Sequence, residues 1–323
     1  MFQRTVSQQG SIISLFANGK WYYYDERSAP IGAGAMGVVY EGYSEDGREH
    51  VAIKRVIDKY ANLPNIRERA RTEASLMFLH RNLVEMIGCC EVYPDHGPIF
   101  IISHFVQGTN IDKFIRQIPT SPMRVKRICE MMYPILDALD YIHSKGIIHM
   151  DIKPSNIMVE NGCNVRLMDL GIAYVDDHLV AGESTSATLM GTPKYAAPEQ
   201  FGKVVRNVPL NKCTDIFEVG ITLYELLTNQ NPFGASNVLE AVEKRKTAVL
   251  PYNRNVPNAV IDVLRKATSF YQYTRYQSAR EMKQALQEAL AFKPRPRIPW
   301  MAIVITSVSV SVIIIIMIML LWN

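Results

Sequence analysis

The 323-residue sequence predicts an α+β protein of two lobes, a small β-rich one and a larger helical one, followed by a transmembrane helix. Three observations carry this. Short β-prone runs fill residues 21–103, apolar residues recur at threes and fours from residue 108 onward, and Trp300 to Trp322 holds no charged residue. The apolar fraction of 48% is ample for a core.

Residues 1–20 read as an N-terminal extension. Their one apolar patch, Ile12 to Phe16, is too short and interrupted for a secretory signal. In the small lobe the β-prone runs are Val38-Val39-Tyr40, His50 to Val56 and Phe100-Ile101-Ile102, with one helical stretch around Ile66 to Leu79. In the larger lobe, residues 108–290, Val125, Ile128, Met132, Ile135, Leu136, Leu139 and Ile142 form one helical stripe. Further helices are expected at Ile216 to Leu227, Val238 to Lys244, Val260 to Lys266 and Ala279 to Leu290.

Residues 291–299 form a basic, proline-rich linker that cannot continue a helix. Residues 300–322, at about 1.5 Å per residue, match a hydrocarbon core about 30 Å thick. Lys293, Arg295 and Arg297 precede this span, so the positive-inside rule places residues 1–299 in the cytoplasm and favours anionic headgroups beside them. Ser307 and Ser311, four residues apart, permit a close helix contact and so a homodimer. Five cysteines without a CxxC spacing point to a reducing compartment. The net charge of +4 requires no nucleic-acid partner.

Chemistry is concentrated in three stretches. Gly32-Ala33-Gly34-Ala35-Met36-Gly37 leads into the β-prone Val38-Val39-Tyr40, which favours a strand-loop-strand flap over the strand-to-helix turn of dinucleotide-binding folds. Glycines there let backbone N–H groups approach phosphates. Lys54 follows in the apolar strand Val51-Ala52-Ile53-Lys54, where a charge needs a partner. His149 to Asn156 then places an Asp, a Lys two residues on and an Asn five residues on in one loop, and Asp169-Leu170-Gly171 comes after it. These are the parts needed to hold ATP, neutralise its phosphates through magnesium and orient a hydroxyl nucleophile.

In this order the motifs resemble the eukaryotic-type (Hanks-type) serine/threonine protein kinase family over about residues 21–290. The Lys153-Pro154 pair is similar to the serine/threonine branch. Ala197-Pro198-Glu199-Gln200, with the membrane span, looks most like bacterial membrane-anchored members. The resemblance implies a two-lobed protein-kinase fold, ATP with Mg2+ (Mn2+ able to replace it), and protein substrates. It also implies site residues. Gly32, Gly34 and Gly37 would meet the phosphates, and Ile31, Val39, Ala52 and Met158 would enclose the adenine, with Ser103 behind it. Lys54 would pair with Glu73 and hold the α and β phosphates. Asp151 would accept the substrate hydroxyl proton, Lys153 would meet the γ-phosphate, and Asn156 and Asp169 would bind the metal. In the activation segment Thr192 would contact Asp151 and Lys153, and Glu199 would pair with Arg275. Asp215 would hold the catalytic-loop backbone.

One departure bears on regulation. Met150 stands where the family usually has an Arg that pairs with a phosphate on the activation segment, and a thioether cannot do so. Leu170, in place of the usual Phe, still supplies an apolar plug. A binding-only pseudokinase would normally have lost Lys54, Asp151 or Asp169, and a small-molecule kinase would lack Gly191 to Glu199; this chain has them all.

Overall fold

The computed structural model describes residues 5–34, 37–75, 78–121, 123–169, 174–175, 192–205, 208–234 and 238–291, with the backbone alone at 59, 65, 69, 72–74, 174–175, 202–205 and 238–239. The chain divides after Leu290 into a compact unit, 1–290, and a second unit, 291–323. The expected linker and membrane span lie outside the described residues, apart from Ala291. Among the described residues no helix is long and apolar enough to cross a membrane.

The N-terminal lobe is an eight-stranded antiparallel sheet. Its strands are β1 (Val6–Gln9), β2 (Ile12–Ala17), β3 (Lys20–Asp25), β4 (Gly32–Gly34), β5 (Gly37–Ser44), β6 (His50–Val56), β7 (Met86–Glu91) and β8 (Ile99–His104). Between β6 and β7 lie α1 (Asp58–Ala61) and α2 (Pro64–Ser75). Strand order is β1-β2-β3-β5-β6-β8-β7, with β4 paired to β5.

The stretch expected as an extension contributes β1 and β2 to this sheet. Ile13, Leu15 and Ala17 alternate inward and pack with Tyr22, Tyr24, Val51, Ile53, Phe100 and Ile102. Asn18 and Gly19, both at positive φ (48° and 79°), make the two-residue turn into β3. Thr5 Oγ1 donates to Glu91 O (3.0 Å) and Cys90 Sγ to Phe16 O (3.3 Å), so the added strands curl back onto β7. The opposite face carries α2 on Val56, Met86, Ile99 and Ile101. Because strand side chains alternate, Lys54 and Ala52 share that second face with Val56.

Helix α2 ends at Ser75, short of the expected Leu79, with residues 76–77 outside the described residues. Its buried Arg67 donates to the carbonyls of Ala61 (2.6 Å), Pro94 (3.0 Å), Gly97 (3.0 Å) and Tyr93, and pairs with Glu91. This fan fastens the helix to the β7–β8 connection.

The C-terminal lobe begins with β9 (Gly108–Asn110), α3 (Ile111–Arg116) and α4 (Arg124–His143). Short strands follow: β10 (Ile147–Ile148), β11 (Ile157–Glu160), β12 (Asn164–Leu167) and β13 (Tyr174–Val175). Helices α5 (Lys212–Thr228), α6 (Val238–Thr247), α7 (Asn258–Ala267) and α8 (Ala279–Ala291) complete it, each somewhat longer than its apolar stripe. The stripe of α4 is buried from Ile128 to Ile142, while Val125 is half-buried. Helix α5 is buried on every side from Cys213 to Tyr224. Its first turn is closed by Asn211, whose side chain accepts from Cys213 N (2.8 Å).

Candidate active site

Strands β4 and β5 form the glycine hairpin, with Gly32 opposite Val39 and Gly34 opposite Gly37. A Cβ on Gly37 would lie 2.6 Å from the Arg55 carbonyl oxygen, so the sheet itself forbids a side chain there. A Cβ on Gly34 would meet nothing within 4 Å among the described residues. Ala35 and Met36 lie outside the described residues. Ile31 N donates to Val39 O (2.9 Å) and is exposed. Ala52 pairs with Ser103 across β6 and β8 on the face that carries Lys54, and the half-buried Met158 stands in β11 opposite Asn110.

Lys54 Nζ lies 3.0 Å from Asp169 Oδ1. Desolvation raises the Asp169 carboxyl, but the Lys54 ammonium, with Lys153 and His149, outweighs it and holds the group below the usual carboxylate range. Glu73 falls in α2, and its side chain lies outside the described residues.

Helix α5 builds the catalytic loop from beneath. Asp215 accepts from His149 N (2.9 Å) and Met150 N (2.8 Å) and lies 2.7 Å from His143 Nε2. Glu218 Oε2 accepts from Ile152 N (2.7 Å), and Thr222 Oγ1 donates to Ile152 O (2.9 Å). Spacings of three and four put these residues on one face of the helix. Met150 sits in the left-handed region (φ 64°), a conformation that costs a non-glycine residue about 1–3 kcal/mol. Its N–H bond to Asp215 and its carbonyl bond from Gln200 Nε2 (2.9 Å) over-determine that geometry, and its side chain is fully buried.

Above this base the polar atoms converge on Asp151. Thr192 donates to Oδ1 through both N–H (3.1 Å) and hydroxyl (3.0 Å), and Lys153 Nζ (2.6 Å) and Asn156 Nδ2 (3.0 Å) donate to Oδ2. Lys153 also reaches the Thr192 hydroxyl (2.7 Å). Met168 N donates to Asn156 O (2.8 Å), tying the residue before Asp169 to the loop. With its amide nitrogen committed to Asp151, Asn156 has the carboxamide oxygen left for a cation, and Asp169 adds a carboxylate. Such an all-oxygen donor pair fits a hard cation like Mg2+, which keeps several waters and phosphate oxygens.

Glu199 and Arg275 are both buried and joined by two bonds, 2.7 and 2.9 Å. Burial raises the Glu199 carboxyl, but Arg275 pulls it below its ordinary value. The structure thus brings together Lys54, Asp151, Lys153, Asn156, Asp169 and Thr192, and separately Glu199 with Arg275. Glu218, Thr222, His143 and Arg245 were not singled out from the sequence. A lone carboxylate at position 218, inside the apolar run from Ile216 to Tyr224, was the available signal, because such a charge needs a partner. Burial, then the neighbouring Asp215, pushes Glu218 well above the usual carboxylate range.

Comparison with known proteins fits this geometry. The family described as "Protein kinase domain" matches residues 26–307. A probable serine/threonine-protein kinase of Corynebacterium efficiens is 31% identical over 274 residues, covering 81% of this chain and 40% of its own length. The probable serine/threonine-protein kinase PknB of Lactococcus lactis is 32% identical (78% and 40% covered), and the serine/threonine-protein kinase PrkC of Bacillus subtilis 30% identical (80% and 39% covered). The chain belongs to the protein kinase family, and its domain is that of a serine/threonine kinase. It spans about two-fifths of the length of these bacterial relatives.

Proposed function

We propose that this protein transfers the γ-phosphoryl group of ATP to serine and threonine hydroxyls of other proteins, and that a C-terminal span holds it at a membrane. The observation that carries the catalytic reading is the cluster on Asp151, where a carboxylate, two amide-type donors, a hydroxyl and an ammonium meet within hydrogen-bond distance. A bound Mg2+–ATP complex supplies the transferable phosphoryl group and the charge neutralisation that loosens it.

The chain's own residues do the rest. Asp151 accepts the hydroxyl proton of the substrate, and Thr192 and Lys153 fix its two oxygens in place. Lys153 also counters charge on the phosphoryl group in transfer. Asn156 and Asp169 hold the cation, Lys54 orients Asp169 and, with Glu73, the inner phosphates, and the glycines of β4 and β5 admit the phosphates to backbone N–H groups. Ile31, Val39, Ala52 and Met158 cover the base. Residues 293–322, with three cations before an uncharged apolar run, support the tether and the cytoplasmic placement of the kinase domain.

The test is incorporation of labelled phosphate into protein by the full chain in detergent, beside Asp169→Ala. Label in wild type and none in the variant is expected; equal label in both, or none in either, defeats the reading. For the tether, carbonate-washed membranes should retain the full chain, and its recovery in the supernatant would overturn that part.

A further inference from the structure

We infer that Arg245 is a positioning residue for the protein substrate, acting through the segment Thr192–Ala197; this rests on the kinase reading above. Arg245 projects from α6 and is buried to 2% exposure. Its donors go to carbonyl oxygens: Nε to Ala196 (2.7 Å), Nη2 to Pro193 (2.6 Å) and Nη1 to Ala241 of its own helix (2.8 Å). The guanidinium lies over three rings, with its carbon 4.9 Å from the Phe201 centroid, 5.4 Å from Phe233 and 5.9 Å from Phe217. Burial drags its basicity down to about 10.

A buried cation is not needed to fill this space, since apolar side chains of similar volume often serve as well or better. What only the planar fork supplies is a fixed set of N–H directions that captures two carbonyls three residues apart. Those carbonyls belong to the short turn that starts at Thr192, whose hydroxyl and N–H hold Asp151. On the outer side of the turn Pro193 and Lys194 are exposed, where the chain of a substrate would lie once its hydroxyl reached Asp151. Arg245 therefore sets the height of that platform relative to the base. Among the described residues its hydrogen bonds go to that turn and to its own helix, and none goes to the glycine hairpin, Lys54 or Asp169.

The consequence is a split between the two substrates. In Arg245→Lys one ammonium cannot span both carbonyls, and in Arg245→Met none is bonded. Using the full chain in detergent with myelin basic protein as acceptor, KM for the acceptor should rise about tenfold in the lysine variant and more in the methionine variant, which corresponds to about 1.4 kcal/mol or more. Binding of a fluorescent ATP analogue should change less than twofold. Amide hydrogen exchange read on the same samples, with no reaction needed, should speed up at residues 194–197 while α5 stays protected. An unchanged acceptor KM overturns the inference, as does a parallel loss of ATP-analogue binding or faster exchange throughout α5, which marks a general structural part. If wild type labels nothing, the kinase reading fails; exchange at residues 194–197 then still decides whether Arg245 holds the segment.

Discussion

Lys54 of β6 and Asp169, two residues beyond β12, meet at 3.0 Å, so each compensates the other's charge. Removing either should take away nearly all transfer: Lys54→Met or Asp169→Asn is expected to lower kcat by roughly 10²-fold or more, since such electrostatic terms are worth several kcal/mol of barrier. Circular dichroism should show both variants folded, and near-wild-type phosphate incorporation by either would refute the assignment. Met150 makes the opposite kind of expectation. Its side chain is buried and uncharged, so it offers no cation to a phosphate on Ser184, Thr185, Ser186 or Thr188, residues that lie outside the described set. Replacing all four with alanine should change peptide phosphorylation by less than about tenfold, or ~1.4 kcal/mol. A hundredfold loss would mean that another cation takes the phosphate. The residues of this centre were legible because they sit in short contiguous motifs. Arg245 was not, because its partners are backbone carbonyls near residue 195, fifty positions away, and carbonyls leave no mark on a sequence.

At the scale of elements, the hairpin of β1 and β2 and the helix α5 carry the most consequence. Leu15 is fully buried between sheet strands, so Leu15→Ala should cost about 2–5 kcal/mol, read as a lower urea midpoint, with α5 amides still protected in hydrogen exchange. A cost below about 0.5 kcal/mol would show that the hairpin is loosely held. This hairpin could have been anticipated: Ile13, Leu15 and Ala17 alternate, and Asn18-Gly19 is a strong two-residue turn signal. Read only against the length of a secretory signal, the same patch hides that alternation. On α5, Glu218 gives a pH dependence. Burial and Asp215 raise its folded pKa above the unfolded one, so its contribution is fully present below about pH 4.3 and is lost as pH rises towards the folded value. Glu218→Gln keeps an acceptor for Ile152 N–H and has no proton to lose. Its Tm should match wild type near pH 4 and exceed it increasingly from pH 5 to 8, by about 2–4 °C for each kcal/mol. A difference that stays flat with pH would show that Glu218 does not titrate out of step with the unfolded chain.

For the whole molecule, the compact unit closes at Leu290, and its core is continuous from α4 through α5 to α8. Ending the chain after Phe292 is therefore expected to leave a kinase that sediments as a soluble species with unchanged kcat on a peptide. Aggregation, or lost activity, would place part of residues 293–323 inside the fold. The two-lobed plan was legible because sheet and helix periodicities differ so plainly on either side of residue 105. The exact reach of the N-terminal lobe was less so, since a strand's partner is fixed by tertiary pairing and not by its own composition. Helix α5 also bears on how this sequence can drift over evolutionary time. Asp215, Glu218 and Thr222 together hold the N–H groups of His149, Met150 and Ile152 and the Ile152 carbonyl, all out of reach of water. A descendant that exchanges Glu218 for a shorter residue must bring another acceptor to Ile152, either a hydroxyl or an enclosed water, so substitutions at this position should arise in company and not alone.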